Sequence, residues 1–140
     1  LLRSGKLEEA YSHLARALEI TPKLVEAQAD MGTLLAAQGK FGESRAHLEE
    51  SLRLSPDQPD VHNNLGFVLL RLGQIDKAIV ECNEVLKSKP ESVDAHFNLG
   101  MAYATGGRKA EAIVEFSRVL ALSPGHAAAR MALDKLQTAR

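Results

Sequence analysis

Cysteine, aromatic residues and an excess of charge are what this sequence of 140 residues has little of. The single cysteine, Cys82, has no partner for an internal disulfide. Only 4% of residues are aromatic and none is Trp, so a core must be built from Leu, Val and Ala. With 17 Lys and Arg against 18 Asp and Glu, the charge balance argues for solubility. It argues against a nucleic acid or an anionic membrane surface as the main partner. No apolar run approaches the roughly 20 residues that would cross a bilayer, so direct membrane insertion is not expected. A chain of this length suffices for one domain that hides roughly two-thirds of its unfolded surface. The opening LLRSGKLEEA has neither an initiator methionine nor a charged-then-apolar leader, which leaves the compartment open.

What the sequence has instead is a period. HNNLG at 62–66 returns as HFNLG at 96–100, and the spacing of 34 extends in both directions. Gly32, Gly66 and Gly100 keep it, as do Gly5, Gly39, Gly73 and Gly107, and Pro22, Pro56, Pro90 and Pro124. Ala10, Ser44, Ala78 and Ala112 hold a small slot, and Leu18, Leu52, Leu86 and Leu120 a large apolar one. Shared composition does not produce several slots in one register without an insertion.

Each unit reads as two helices. His62, Leu65, Gly66 and Leu69 follow the i, i+3, i+4, i+7 pattern of a buried helical face. Gly73 ends that helix, because it adopts the left-handed conformation of a C-terminal turn. A second stripe, Ile75, Ala78, Ile79, Cys82, Val85 and Leu86, runs until Pro90. The small residues Gly66 and Ala78 allow the two backbones to approach, and the next unit covers the apolar surface left over.

The pattern Leu65-Gly66, Leu69, Gly73, Ala78, Leu86, Pro90, repeated as Leu99-Gly100, Tyr103, Gly107, Ala112, Phe116, Leu120, Pro124, resembles the tetratricopeptide repeat and covers essentially the whole chain. The resemblance implies an all-α fold, a right-handed α-solenoid of antiparallel helix pairs. His62 and His96 depart from it where the family often has Trp, Cys82 replaces an aromatic, and Lys109 stands where Leu7, Phe41 and Ile75 are apolar. The frame divides a single domain, 1–140, into a half unit at 1–24 (second helix only), full units at 25–58, 59–92 and 93–126, and a polar-faced capping helix at 127–140. Since the first piece lacks its partner helix, the expectation is a segment of a longer array or a disordered stretch upstream.

Within the family, the helix face opposite the buried stripe lines a concave groove where peptides lie. On this face stand Asp30 and Thr33; Asp60, Asn63, Asn64, Phe67 and Arg71; and Asp94, Phe97, Asn98 and Met101. These residues are the candidate site, and a protein or peptide segment is the expected partner. Asn64 and Asn98 resemble the asparagine ladder in the repeat domains of O-linked N-acetylglucosamine transferases and in importin-like grooves. An amide both donates and accepts, which suits it to holding a peptide backbone. Asp30 interrupts the ladder, and ordinary solvated polar residues are the other reading of the pair. Phe67, Phe97 and Met101 add apolar area, either as an interaction surface or covered by adjacent helices and by a cap carrying Met131. Glu26, Asp60 and Asp94 suit a basic ligand, but each also sits where a carboxylate offsets a helix dipole. The family's clamp for acidic chaperone tails is disfavoured: its slots here hold Ala29, Thr33, Asn64, Asp94 and Asn98, with a carboxylate in place of a Lys.

Catalysis finds little support. His13 and His47, and His62 and His96, are echoes of the period rather than metal-ligand spacings. Cys82 lies on an apolar stripe and reads as an inert core thiol. No Gly-x-Ser-x-Gly elbow occurs, and TGGRKAEA reads as a turn between helices. No enzyme activity and no cofactor or metal is expected. A second reading is structural: Leu1, Leu2, Leu7 and Leu14 at one end and the lone helix at the other would stack chains head to tail, a heterologous contact that propagates.

Overall fold

The computed structural model describes residues 2–138, and the side chains of residues 2 and 3 are not described. Leu1 and the Leu2 side chain, part of the end expected to be exposed, therefore lie outside the described residues, as do 139 and 140 of the capping segment. Among the described residues there are eight helices and no strand: α1 (Leu2–Ile20), α2 (Val25–Ala37), α3 (Phe41–Leu54), α4 (Pro59–Arg71), α5 (Ile75–Ser88), α6 (Val93–Thr105), α7 (Lys109–Leu122) and α8 (Ala127–Thr138). The starts of α2, α4, α6 and α8 are 34 residues apart, and so are those of α3, α5 and α7. The fold is an all-α solenoid in which each helix packs on its chain neighbours.

The turn inside each pair is set by glycine. Gly39, Gly73 and Gly107 have φ of 77°, 79° and 80°, and no other described residue has a positive φ. Around Gly73 its own N–H donates to the Leu70 carbonyl at 3.1 Å and the Gln74 N–H to that of Leu69 at 2.9 Å, which closes the helix end in a Schellman motif. The same two bonds form around Gly39 and Gly107. Gly5 keeps the sequence register but makes no such turn: α1 runs through it as one helix of 19 residues.

Within a pair, the second glycine slot sets the closeness of the helices. A methyl group on Gly32 would lie 2.6 Å from the Leu48 side chain, and one on Gly100 2.8 Å from the Phe116 ring. Ser44, in the facing small slot, is fully buried and donates to the Gly32 carbonyl at 2.5 Å. The core between pairs is Leu48, Val61, Leu65, Val68 and Leu69 in the middle of the chain, and Phe116, Val119, Ala129 and Leu133 towards its end.

α8 buries Ala129 and Leu133 against α7, in the way that α6 meets α5. At the positions by which α4 and α6 meet their following helices (His62 and Gly66, His96 and Gly100), α8 carries Arg130 and Asp134, both exposed.

Candidate functional site

Helices α2, α4 and α6, the first members of their pairs, carry the candidate residues. α4 begins with Pro59 in its first turn, where the missing N–H costs nothing, and α6 begins at Ser92, whose hydroxyl accepts from the Ala95 N–H at 3.2 Å.

The structure brings five of the eleven candidate residues into one cleft. Phe67 and Arg71 of α4 and Phe97, Asn98 and Met101 of α6 line a hollow of about 270 Å³ with Leu70 and Thr105. Phe97 and Met101 also form one wall of a larger, mostly apolar cleft of about 700 Å³ between α6 and α8, closed by Ala104, Phe116, Ala128, Met131, Ala132, Asp134, Lys135 and Leu136. The two clefts thus share a wall and run on from each other. Phe97 is held from behind, its ring 5.7 Å from that of Phe116 and 4.9 Å from that of His126. Phe67 meets Phe41 edge to face at 6.2 Å, and the Arg71 guanidinium lies 5.2 Å over the Phe41 ring. Phe67 nevertheless stays 40% exposed and Met131 72%. Adjacent helices therefore cover Phe97 and Met101 only in part, and α8 extends the apolar surface rather than sealing it.

The polar candidates are arranged differently. The Asn64 amide donates to the Thr33 hydroxyl at 3.1 Å, linking α4 to α2, and the Asn98 amide donates to Asn63 Oδ1 at 3.0 Å, linking α6 to α4. Both asparagines thus stitch successive repeats together, and their own Oδ1 atoms have no protein partner among the described residues. Asp30, Asp60 and Asp94 are exposed and line neither cleft. Asp60 and Asp94 sit in the first turns of their helices, and Asp60 is 3.5 Å from Lys89. Cys82 is fully buried behind Gly66, and burial first, then the charges of Glu81 and Glu115, push its thiol up to about 12, so it carries no thiolate at neutral pH.

Sequence reasoning left the α8 residues out of the site. The signal was the period itself: Met131 stands in the slot of Phe97 and Lys135 in that of Met101.

The family model for the TPR repeat matches residues 32–73, and that for the tetratricopeptide repeat matches 69–136. The chain belongs to the tetratricopeptide repeat family. This repeat protein has no match among curated protein sequences. Among solved structures it is similar to MamA (41-end) from Desulfovibrio magneticus RS-1, with TM-score 0.89 and 24% identity over 97% of this chain and 77% of that one. It is also similar to YrrB, a TPR protein with an unusual peptide-binding site, with TM-score 0.81 and 26% identity over 97% of this chain and 70% of that one. The first TPR domain of Spaghetti (RPAP3), bound to the HSP90 peptide SRMEEVD, matches with TM-score 0.77 and 23% identity over 81% of this chain and 90% of that one. MamA and Spaghetti speak to the fold alone. Repeat family and fold together support a protein-interaction scaffold.

Proposed function

We propose that this tetratricopeptide repeat chain holds a segment of a partner protein in its concave groove by apolar side chains, and that it performs no chemistry of its own. The observation that carries the reading is the pair of clefts joined at Phe97 and Met101, with Phe67 and Met131 left exposed at either side. Exposed apolar surface of this extent on a soluble domain marks an interaction site. Methionines suit such a site because an unbranched side chain adapts to the partner it meets. A bound backbone would find acceptors in the Oδ1 atoms of Asn64 and Asn98, each of whose amides gives one of its two N–H groups to the neighbouring repeat. Likeness to YrrB supports a peptide as the partner, and no described helix is long and apolar enough to cross a membrane. Head-to-tail stacking has the character of α8 against it: Arg130 and Asp134 occupy the positions where a following helix would have to pack.

Panning a displayed library of random 12-residue peptides on the wild-type chain and on a Phe67→Ser, Met131→Lys variant tests the reading. Both substituted side chains are exposed, so the fold is expected to survive. Peptides rich in bulky apolar residues that bind the wild type at least tenfold better than the variant are the expected outcome. Selected peptides that bind both equally would place the interaction elsewhere.

A further inference from the structure

Two histidines each present both ring nitrogens to hydrogen-bond acceptors. His62 Nδ1 lies 2.5 Å from Glu81 Oε2 on α5, and its Nε2 lies 2.9 Å from the Pro56 carbonyl, in the turn that joins α3 to α4. His96 repeats the arrangement one period on, 2.6 Å from Glu115 Oε2 and 2.8 Å from the Pro90 carbonyl. A carbonyl oxygen only accepts, so each Nε2 must carry a proton. The contact between Nδ1 and the carboxylate then needs a second proton, held by the ring or shared with the acid. Without it, a lone pair and a carboxylate face each other where the side chains are only 18% and 20% exposed in one pair, and 11% and 17% in the other. Unmatched acceptors in such a place carry a desolvation penalty that nothing offsets.

The first full repeat makes the same junction without that proton. Gln28 stands in the histidine slot and donates to the Pro22 carbonyl at 2.9 Å, while its Oε1 lies 2.7 Å from Nδ1 of His47, which stands in the glutamate slot. An amide supplies a donor and an acceptor without titrating. His47 completes the pair as a neutral ring: burial holds its pKa below the ordinary value, against the opposing charge of Glu43.

We propose that the His62–Glu81 and His96–Glu115 pairs are proton-operated latches at the repeat junctions. Protonated, each ties the turn before its helix (α4 or α6) to the second helix of the same pair; deprotonated, it lets go, while the Gln28–His47 junction holds at either pH. The inference does not depend on what the groove binds. The charged groups around His62 are Glu81, Glu84 and Lys77 on α5, and Glu49 and Arg53 on α3. Burial works against its charge, but the Glu81 and Pro56 bonds and the carboxylates of Glu81 and Glu84 outweigh it, and its pKa is held above the ordinary value. His96 has Glu115 on α7 as its carboxylate partner, and the sequence puts Lys87, Glu111 and Arg118 in the slots of Arg53, Lys77 and Glu84. A histidine whose pKa is raised by folding adds stability that is complete below its unfolded value of about 6.5 and is lost as pH rises through the folded one.

The test compares thermal unfolding of the wild type with that of a chain in which both latches copy the first junction: His62→Gln with Glu81→His, and His96→Gln with Glu115→His. The wild-type midpoint is expected to fall by roughly 4 °C or more between pH 5.5 and 8.5, and the copied junctions to remove that fall. An equal pH dependence in both chains would overturn the proposal. Should the fourfold variant not fold, nitrogen-15 spectra of the wild type decide. At pH 6 the latch at His62 requires both of its ring nitrogens to be protonated. A neutral ring at His62 at that pH would overturn it.

Discussion

Gly100 shows how much of this fold is decided by single atoms. Its missing Cβ would stand 2.8 Å from the ring of Phe116, which is itself fully buried and packed against Phe97, so the ring must be displaced to make room. Gly66, in the same slot, would place its Cβ 3.1 Å from Cys82 Sγ, a contact relieved by a few tenths of an ångström. Alanine in a helix gains up to about 1 kcal/mol over glycine, whereas overpacking a tight site costs roughly 1–3 kcal/mol. Gly100→Ala is therefore expected to destabilise by about 1–2 kcal/mol, and Gly66→Ala to stay within about 1 kcal/mol of the wild type. Urea denaturation reads both, and an equal loss at the two positions would contradict the packing account. These glycines were legible in the sequence because a small residue recurring every 34 positions has no other explanation in a helix. The His62–Glu81 and His96–Glu115 pairs were not, since partners 19 residues apart lie on different helices and meet only once the helices are paired.

Helices in this chain are ended by conformation more than by side-chain caps. α3, α4, α5 and α7 have no side-chain bond at the N-cap, and the turns between paired helices rest on Gly39, Gly73 and Gly107. A left-handed residue other than glycine costs roughly 1–2 kcal/mol. Gly73→Ala is accordingly expected to lower stability by about that amount, although a methyl group there meets nothing within 4 Å. A thermal midpoint unchanged by Gly73→Ala would mean the turn is held by something other than its φ. The same reasoning explains where the period misleads. Gly5 occupies the turn slot, yet α1 continues through it. At the other end, the polar character of α8 was visible in AAARMALDKLQTAR, but its contribution to the apolar cleft was not, because Met131 gains meaning only beside Phe97 and Met101.

In a solenoid each repeat is stabilised by its neighbours, so stability is distributed along the chain rather than held in one centre. The slots that are fully buried in α5 and α7, Ala78, Cys82 and Val85 and then Ala112, Phe116 and Val119, are filled in α1 by Ala10, Leu14 and Ala17, all only partly buried. No described residue of α1 is buried, whereas α4 and α6 each bury five. Local opening requires least energy where the fewest apolar contacts must be broken, so α1 is expected to open without the rest of the chain. Native-state hydrogen exchange should place the amides of α1 several kilocalories below those of α4 to α6, with α8 between them because Ala129 and Leu133 anchor it. The same experiment at pH 5.5 and 8.5 separates this gradient from the latches: α1 should open equally at both, while amides near Pro56 and Pro90 should lose protection at the higher pH. Uniform protection from α1 to α8 would mean that the chain unfolds as one unit, and the nearest-neighbour description would then have to be abandoned.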